Sequence, residues 1–236
     1  MNTIDDFKAR ANNLLDLRGY SQISNPIPVF EGEMECPYER QYILRMMIRS
    51  PETHVFQIPE ELKWLEKTIW NCAEFQFRNG LFNPFVYVTV RHGLVTSETD
   101  DDWHVDGFSM RIPHVPEQNY IWTNSNPTQY QDKTFPIPED FDSLKHNLHN
   151  YLSSQAEESK TKTLKTNTVY LFDPYWVHRR PFCEAGTIRT FWRISFVPIE
   201  IKDDTCTQNP LLPKKVYGNQ DIRQTLTEYE SSTTYL

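Results

Sequence analysis

The strongest constraint on the fold is a series of short segments in which apolar and polar residues alternate. Alternation with a period of two is the pattern of a half-buried β-strand. Strand signals occur at 84–91, 103–110, 119–124, 168–178 and 188–198, and turns rich in proline and asparagine separate them. Helical patterns do not alternate with these segments, so the sequence argues against a parallel βαβ fold. It favours a mainly β protein, an antiparallel sandwich with flanking helices.

The helical signals flank this series and interrupt it once. The clearest covers 59–80, where a proline fits the first turn, an apolar stripe follows and Asn79-Gly80 ends the helix. A second helix is predicted over 3–18 and a short third over 138–152, whereas 25–37 and 153–167 are interpreted as loops. We therefore predict one domain over 1–236, with a helical N-terminal part at 1–80, a β core at about 84–200 and a polar C-terminal tail at 203–236.

His104-Val105-Asp106 is a candidate metal-binding pair. Side chains two positions apart on a strand project to the same face, so His104 and Asp106 point together while Val105 points away. His178, at the end of the 168–178 segment, is the candidate third ligand. Two imidazoles and one carboxylate fill one face of an octahedral ferrous ion and leave the opposite face open. The pair alone is weak evidence, because a polar surface pair and a core histidine would produce the same pattern.

The segment 188–198 strengthens this interpretation because it places two arginines on one face of an apolar strand. Arg189, Phe191, Arg193 and Ser195 share that face. A guanidinium in apolar surroundings is costly unless an anion pairs with it. The anion could be a carboxylate of the protein, in a salt bridge, or a carboxylate of a bound ligand.

The order His-x-Asp, distal His and then Arg resembles the Fe(II)/2-oxoglutarate-dependent dioxygenase superfamily. The resemblance covers roughly residues 85 to 200. The distance from His178 to Arg189, 189 − 178 = 11 positions, is similar to that in the phytanoyl-CoA hydroxylase-like and taurine dioxygenase-like branches. It does not identify a subfamily.

The resemblance implies a double-stranded β-helix, or jelly roll, and an oxygenase reaction. Fe(II) would be bound by His104, Asp106 and His178, and 2-oxoglutarate would be the cosubstrate, with its remote carboxylate on Arg189. Arg193 would be a second anion contact, or would bind that carboxylate in place of Arg189. Dioxygen would be consumed with release of succinate and CO₂, and hydroxylation of a C–H bond is the expected outcome.

Further pocket candidates come from the strand at 119–124 and from scattered arginines. Tyr120, Trp122 and Asn124 share one face of that strand, and the resemblance implies cosubstrate donors there, so Tyr120 and Asn124 are candidate cosubstrate contacts. Core packing is the alternative for Tyr120. The last candidates, for which surface charge is the favoured interpretation, are Arg91, Arg111 and Arg180.

Composition limits the partners and the compartment. A formal net charge of −8 argues against a broad surface for nucleic-acid phosphates. The four cysteines form no C-x-x-C pair, so neither a zinc–thiolate cluster nor a disulfide framework is expected. No apolar run is long enough to span a membrane, and a cytoplasmic protein is expected. The oligomeric state is left open.

The leading functional hypothesis is an oxygenase acting on a small molecule, such as an amino acid or a natural-product intermediate. We expect that substrate to carry an anionic group bound by Arg193 or by another arginine of the pocket. Two alternatives stay open: an oxygenase acting on a protein side chain or a nucleobase, and a non-catalytic jelly-roll binding module.

Overall fold

The structure is a computed structural model that describes residues 4–22, 25–39, 41–95, 102–108, 115–142, 145–201, 206–213 and 226–227. Over these ranges the chain is mainly antiparallel β-sheet with few helices. The strands are β1 (Ile27–Glu31), β2 (Gln41–Arg49), β3 (Phe85–Leu94), β4 (Gln118–Thr123), β5 (Gln129–Gln131), β6 (Thr161–Thr163), β7 (Thr168–Phe172), β8 (His178–Arg179), β9 (Ile188–Val197) and β10 (Leu226–Thr227). The α-helices are α1 (Ile4–Ala11), α2 (Glu66–Arg78) and α3 (Leu148–Gln155), and short 3₁₀ helices cover Leu17–Ser21, Glu60–Leu65 and Glu158–Lys160.

The strands form two sheets. The larger has the order β1-β7-β4-β9-β3-β2-β10 and the smaller the order β6-β5-β8. Neighbouring strands are antiparallel in both sheets. This arrangement is compatible with a β-sandwich, and the double-stranded β-helix remains a prediction.

The main core lies between the larger sheet and the segment that ends in α2. Leu62, Leu65, Ile69 and Cys72 are fully buried there and pack in one cluster with side chains from β2, β3, β4 and β9. The helix predicted over 59–80 is confirmed from Glu66 to its end, where Asn79 caps α2 and Gly80 takes a left-handed conformation, with φ of 66°. Its first part, Glu60–Leu65, is a 3₁₀ helix instead. On β9 the core residues Trp192, Ile194 and Phe196 alternate with the arginines, so the arginines face the other side of the sheet.

The prediction of a helical N-terminal part is wrong in one respect, because two strands of the larger sheet lie within it. β1 falls inside the segment interpreted as a loop, and β2 occupies a stretch for which no element was predicted. The signal in β2 is nevertheless present: Tyr42, Leu44, Met46 and Ile48 alternate and are each at most 2% exposed. α1 is also shorter than predicted, ending at Ala11.

The middle of the chain differs from the prediction in similar ways. The predicted helix at 138–152 begins only at Leu148, where Asn147 caps it by accepting a hydrogen bond from the backbone N–H of Asn150. The predicted loop at 153–167 contains β6. The segment 168–178 is interrupted at Asp173-Pro174, so β7 and β8 join different sheets. No helix of the described ranges has the length and apolar character of a membrane span.

Candidate active site

Two extended segments bring His104 and His178 face to face. The backbones form an antiparallel bridge, in which each histidine N–H donates to the other's carbonyl at 2.9 Å. The ring centroids lie 4.5 Å apart. The prediction of a strand at 103–110 is wrong over the described residues 102–108, because only His104 forms a bridge there. The predicted alternation is nevertheless present: Trp103 and Val105 are buried in a second hydrophobic cluster, whereas His104 and Asp106 line a cleft on the opposite side.

Local hydrogen bonds fix the tautomer of both histidines. The Nδ1 atom of His104 lies 2.9 Å from the carbonyl oxygen of Asp102, and the Nδ1 atom of His178 lies 2.9 Å from that of Trp176. Because a carbonyl oxygen only accepts, each Nδ1 carries the proton and each Nε2 holds the lone pair in the neutral ring. This is the arrangement in which metal-binding histidines are usually found.

Asp106 lies beside His178 and Arg193. Its Oδ2 atom is 3.5 Å from Nε2 of His178 and accepts a hydrogen bond from Nη1 of Arg193. Burial acts to raise the pKa of Asp106, but the charge of Arg193 and the two nearby histidines hold that pKa well below its usual range. The carboxylate is therefore ionised at neutral pH.

The Oδ2 atom of Asp106 also lies beside the Nε2 atom of His178. A carboxylate oxygen and the lone pair of Nε2 repel each other unless a cation is close, and the guanidinium of Arg193 on the same oxygen supplies one. The donor set of His104, Asp106 and His178 fits a divalent transition metal in its chemistry. Within the described ranges, however, no group of three His, Cys, Asp or Glu side chains is already gathered as a metal site. The role of these three residues as metal ligands remains a prediction.

The cleft beside these residues has a volume of about 130 Å³. Most of its lining comes from the inner faces of β3 and β9 and from the segment around β8. The described lining residues are Thr89, Arg91, His104, Asp106, Ile121, Thr128, Phe172, His178, Arg180, Arg189, Phe191 and Arg193. The structure therefore brings five of the seven predicted site residues together in one cleft.

The two arginines of β9 have different surroundings. Arg193 lies opposite Thr89 of β3 and is paired with Asp106. Arg189 is further along the strand, where its Nε donates to the carbonyl of Ser125 at 3.3 Å and its guanidinium lies 5.2 Å from the centroid of the Phe191 ring. Of the two alternatives left open for Arg193, the structure contains the salt bridge to a protein carboxylate.

Glu117, which the sequence analysis did not identify, contributes to the surroundings of Arg193. Burial raises the pKa of Glu117, while Arg193 and a hydrogen bond from Asn119 at 2.7 Å act in the opposite direction. Gly107, with φ of 71°, allows this approach, because a Cβ at that position would overlap the Glu117 side chain. A single glutamate outside any motif gives no sequence signal for this role.

The two predicted cosubstrate contacts, Tyr120 on β4 and Asn124 just after it, lie outside the cleft. Tyr120 is fully buried in the main core, with ring centroids 6.2 Å from Phe75 and 5.6 Å from Phe196. Asn124 accepts a hydrogen bond from the backbone N–H of Thr190 at 2.8 Å and borders a different hollow. Alternation correctly grouped Tyr120 with Trp122, but their shared face is the core face, and Ile121 is the residue of β4 that lines the cleft.

Four further residues complete the comparison with the sequence. Arg91 and Arg180, for which surface charge was favoured, line the cleft, whereas Arg111 lies outside the described residues. His149 of α3 was not predicted, and its ring centroid lies 6.2 Å from that of His104.

No family model matches the chain, and no curated protein matches its sequence. Solved structures similar to it include AviO1 from Streptomyces viridochromogenes Tue57, at 13% identity over 85% of this chain and 99% of that one, with a TM-score of 0.38. HygX from Streptomyces hygroscopicus with nickel and 2-oxoglutarate bound is 11% identical over 88% of this chain and 96% of its own, with a TM-score of 0.37. EvdMO1 is 17% identical over 84% of this chain and 45% of its own, with a TM-score of 0.34.

Proposed function

We propose that this protein is an Fe(II)- and 2-oxoglutarate-dependent oxygenase that hydroxylates a C–H bond of a small molecule. One observation carries the proposal: His104 and His178 face each other with both Nδ1 atoms bonded to carbonyls, next to an ionised aspartate and an arginine-lined cleft. Neutral imidazole nitrogens and a carboxylate are the donors of non-haem ferrous oxygenases, which leave the other positions of the metal open.

The residues of the cleft have distinct roles in this proposal. His104, Asp106 and His178 hold the metal. Fe(II) with 2-oxoglutarate and dioxygen supplies an oxidant strong enough to hydroxylate a C–H bond, with succinate and CO₂ as the other products. Arg189 binds the remote carboxylate of 2-oxoglutarate, because Arg193 is already paired with Asp106 and a bidentate guanidinium suits a terminal carboxylate.

The experiment is to add Fe(II) and 2-oxoglutarate to chelator-treated protein without oxygen and to record the absorption spectrum. We expect a weak visible band that needs both components and that Zn(II) does not produce. Admission of oxygen with a library of small molecules is then followed by succinate release. Absence of the band at saturating Fe(II) and 2-oxoglutarate would contradict the proposal.

The ion pair between Asp106 and Arg193 favours a second candidate, a non-catalytic module that binds small anions. In that case the arginines of the cleft bind the ligand and Asp106 serves only to position Arg193. The same spectrum separates the two candidates, because the binding module gives no iron-dependent band while still binding 2-oxoglutarate or a related anion.

A further inference from the structure

Arg193 is shared unequally between two carboxylates. Asp106 acts on it through its charge and through a hydrogen bond, whereas Glu117 acts on it through its charge. That hydrogen bond comes from Nη1, and the Nε atom of the same guanidinium is buried without a hydrogen-bond partner in the part of the chain that the structure describes. The guanidinium therefore has an unused donor, and it lies near a carboxylate that has no part in the proposed function.

Glu117 is held in place by buried side chains and by close packing. Its Oε1 atom accepts a hydrogen bond from Nδ2 of Asn119 at 2.7 Å, and Oδ1 of Asn119 accepts one from Oγ of Ser195 at 2.5 Å. Asn119 and Ser195 are at most 4% exposed, and these two bonds fix which way the amide points. Glu117 also packs against Gly107, the residue after Asp106. The Glu117 carboxylate thus has a defined position beside the segment that carries Asp106.

The oxygen of Asp106 that Arg193 binds is also the one beside His178. Oδ2 lies 3.5 Å from Nε2 of His178 and accepts the hydrogen bond from Nη1 of Arg193. A metal ion bound by Asp106 and His178 would therefore be repelled by the guanidinium charge. Asp106 and Arg193 together have no net charge, whereas the group that includes ionised Glu117 is negative. Arg193 and the amide that donates to Glu117 favour its ionised form.

We infer that Glu117 is a positioning residue of the metal site: its charge offsets that of Arg193, so that Asp106 can bind a divalent metal ion together with His104 and His178. The inference rests on the proposed function for the identity of these three ligands. Arg193 and the metal ion compete for Asp106, and Glu117 shifts that competition toward the metal ion. Removal of the Glu117 charge and removal of the Arg193 charge should therefore change metal affinity in opposite directions, which a general loss of structure would not do.

The test is a calorimetric titration of the metal-free protein with Co(II) alone, a divalent ion that accepts the same types of ligand as Fe(II). Glu117→Gln, whose amide oxygen can still accept from Asn119, should weaken Co(II) binding by about tenfold to a hundredfold, the usual effect of removing a partner of a metal ligand. Arg193→Gln should strengthen Co(II) binding by about tenfold, the size of effect that one neighbouring charge has on a carboxylate. The double variant should return close to the wild-type affinity, because the net charge beside the metal is restored. Glu74→Gln is the control, because it removes the same charge from an exposed residue of α2 that is paired with Arg78.

The outcomes separate this inference from the proposed function. Wild-type Co(II) affinity in Glu117→Gln, or an equal loss in Glu74→Gln, would overturn the inference and leave the oxygenase proposal intact. A weaker affinity in both Glu117→Gln and Arg193→Gln would also overturn it, because both side chains would then have a structural role. If Glu117→Gln does not fold, Arg193→Gln decides, and a Co(II) affinity at or below that of wild type overturns the inference. The expected pair of opposite changes without any iron-dependent band would support the role of Glu117 and contradict the oxygenase. A wild-type protein that binds no Co(II) would overturn both.

Discussion

At the scale of single residues, the candidate site consists of three charged side chains, Asp106, Arg193 and Glu117, and of two histidines. Each histidine ring is held by a hydrogen bond to a carbonyl two positions earlier. Arg193 stands between Asp106 and Glu117, and both carboxylates raise its pKa against the effect of burial. The sequence identified Arg193 and Asp106 as site residues but not as partners, because face alternation gives the direction of a side chain and not its distance from another strand.

The two histidines should be required for metal binding and dispensable for folding. We expect His104→Ala and His178→Ala to abolish Fe(II) binding, measured by metal content after dialysis, and to leave the melting temperature within a few degrees of wild type. His146→Ala, which alters an exposed histidine, is the control and should retain metal. Wild-type iron content in either site variant would refute the ligand assignment.

Arg189 and Arg193 should differ in what their removal affects. Arg189→Gln should lower 2-oxoglutarate affinity by roughly thirtyfold to a thousandfold, as expected for a bidentate contact worth about 2 to 4 kcal/mol. Titration of both variants with 2-oxoglutarate is the measurement. A larger loss of 2-oxoglutarate affinity in Arg193→Gln than in Arg189→Gln would show that Arg193 binds the remote carboxylate.

Arg193→Gln should act mainly on stability. Its removal leaves two carboxylates near each other without the cation between them, and a partly exposed pair of this kind is worth about 1 to 2 kcal/mol. Chemical denaturation of the metal-free protein measures the free energy of unfolding. If the double variant Arg193→Gln, Asp106→Asn regains the wild-type free energy of unfolding, the unpaired carboxylate is the cause of the loss. An unchanged free energy of unfolding in Arg193→Gln alone would argue against the ion pair in solution.

At the scale of elements, the sequence predicted whether a segment is a helix or a strand better than it predicted where that element begins and ends. β3, β4, β9 and α2 lie where the patterns put them, because each combines clear periodicity with strong end signals. β1 was missed because Pro28 interrupts a short edge strand, and the 168–178 segment was not split between two sheets because a local turn signal does not specify which sheet the next strand joins. Tyr120 was predicted to contact the cosubstrate but lies in the core. Alternation shows which residues share a face of a strand, but it does not show which face packs against the core.

The role of α2 in the core gives a matched pair of variants. Ile69→Ala removes a fully buried side chain that packs against the larger sheet, and should lower the free energy of unfolding by about 2 to 5 kcal/mol. Phe77→Ala, on the same helix at a side chain that is 72% exposed, should change it by no more than about 0.5 kcal/mol. Urea denaturation of both variants is the measurement, and a smaller loss in Ile69→Ala than in Phe77→Ala would contradict the packing of α2.

At the scale of the whole molecule, net charge and local charge point in opposite directions. The value of −8 led the sequence analysis to discount anionic polymers, but it could not show that four arginines converge in one cleft. That convergence depends on the register between β3 and β9 and on the approach of β8, which are properties of the tertiary structure.

Ionic strength should reveal which charge the ligand responds to. If net charge dominated, salt would screen repulsion and strengthen the binding of 2-oxoglutarate. We expect the opposite, a weaker affinity as sodium chloride rises from about 0.05 to about 0.5 M, because the Debye length falls well below 10 Å over that range and the cleft is positive. Calorimetry at several salt concentrations measures the slope, and a positive slope would contradict a dominant local field.

The Nδ1 contacts of the two histidines have a consequence for motion. Each ring is fastened to a carbonyl only two positions earlier in its own segment, so its tilt is set within three consecutive residues. The two backbones are also joined directly by a pair of hydrogen bonds, so a movement of the two sheets against each other would carry both imidazoles together and leave their spacing nearly constant. A metal ion between them would therefore meet a gap of nearly fixed width, which favours ions of one radius over others.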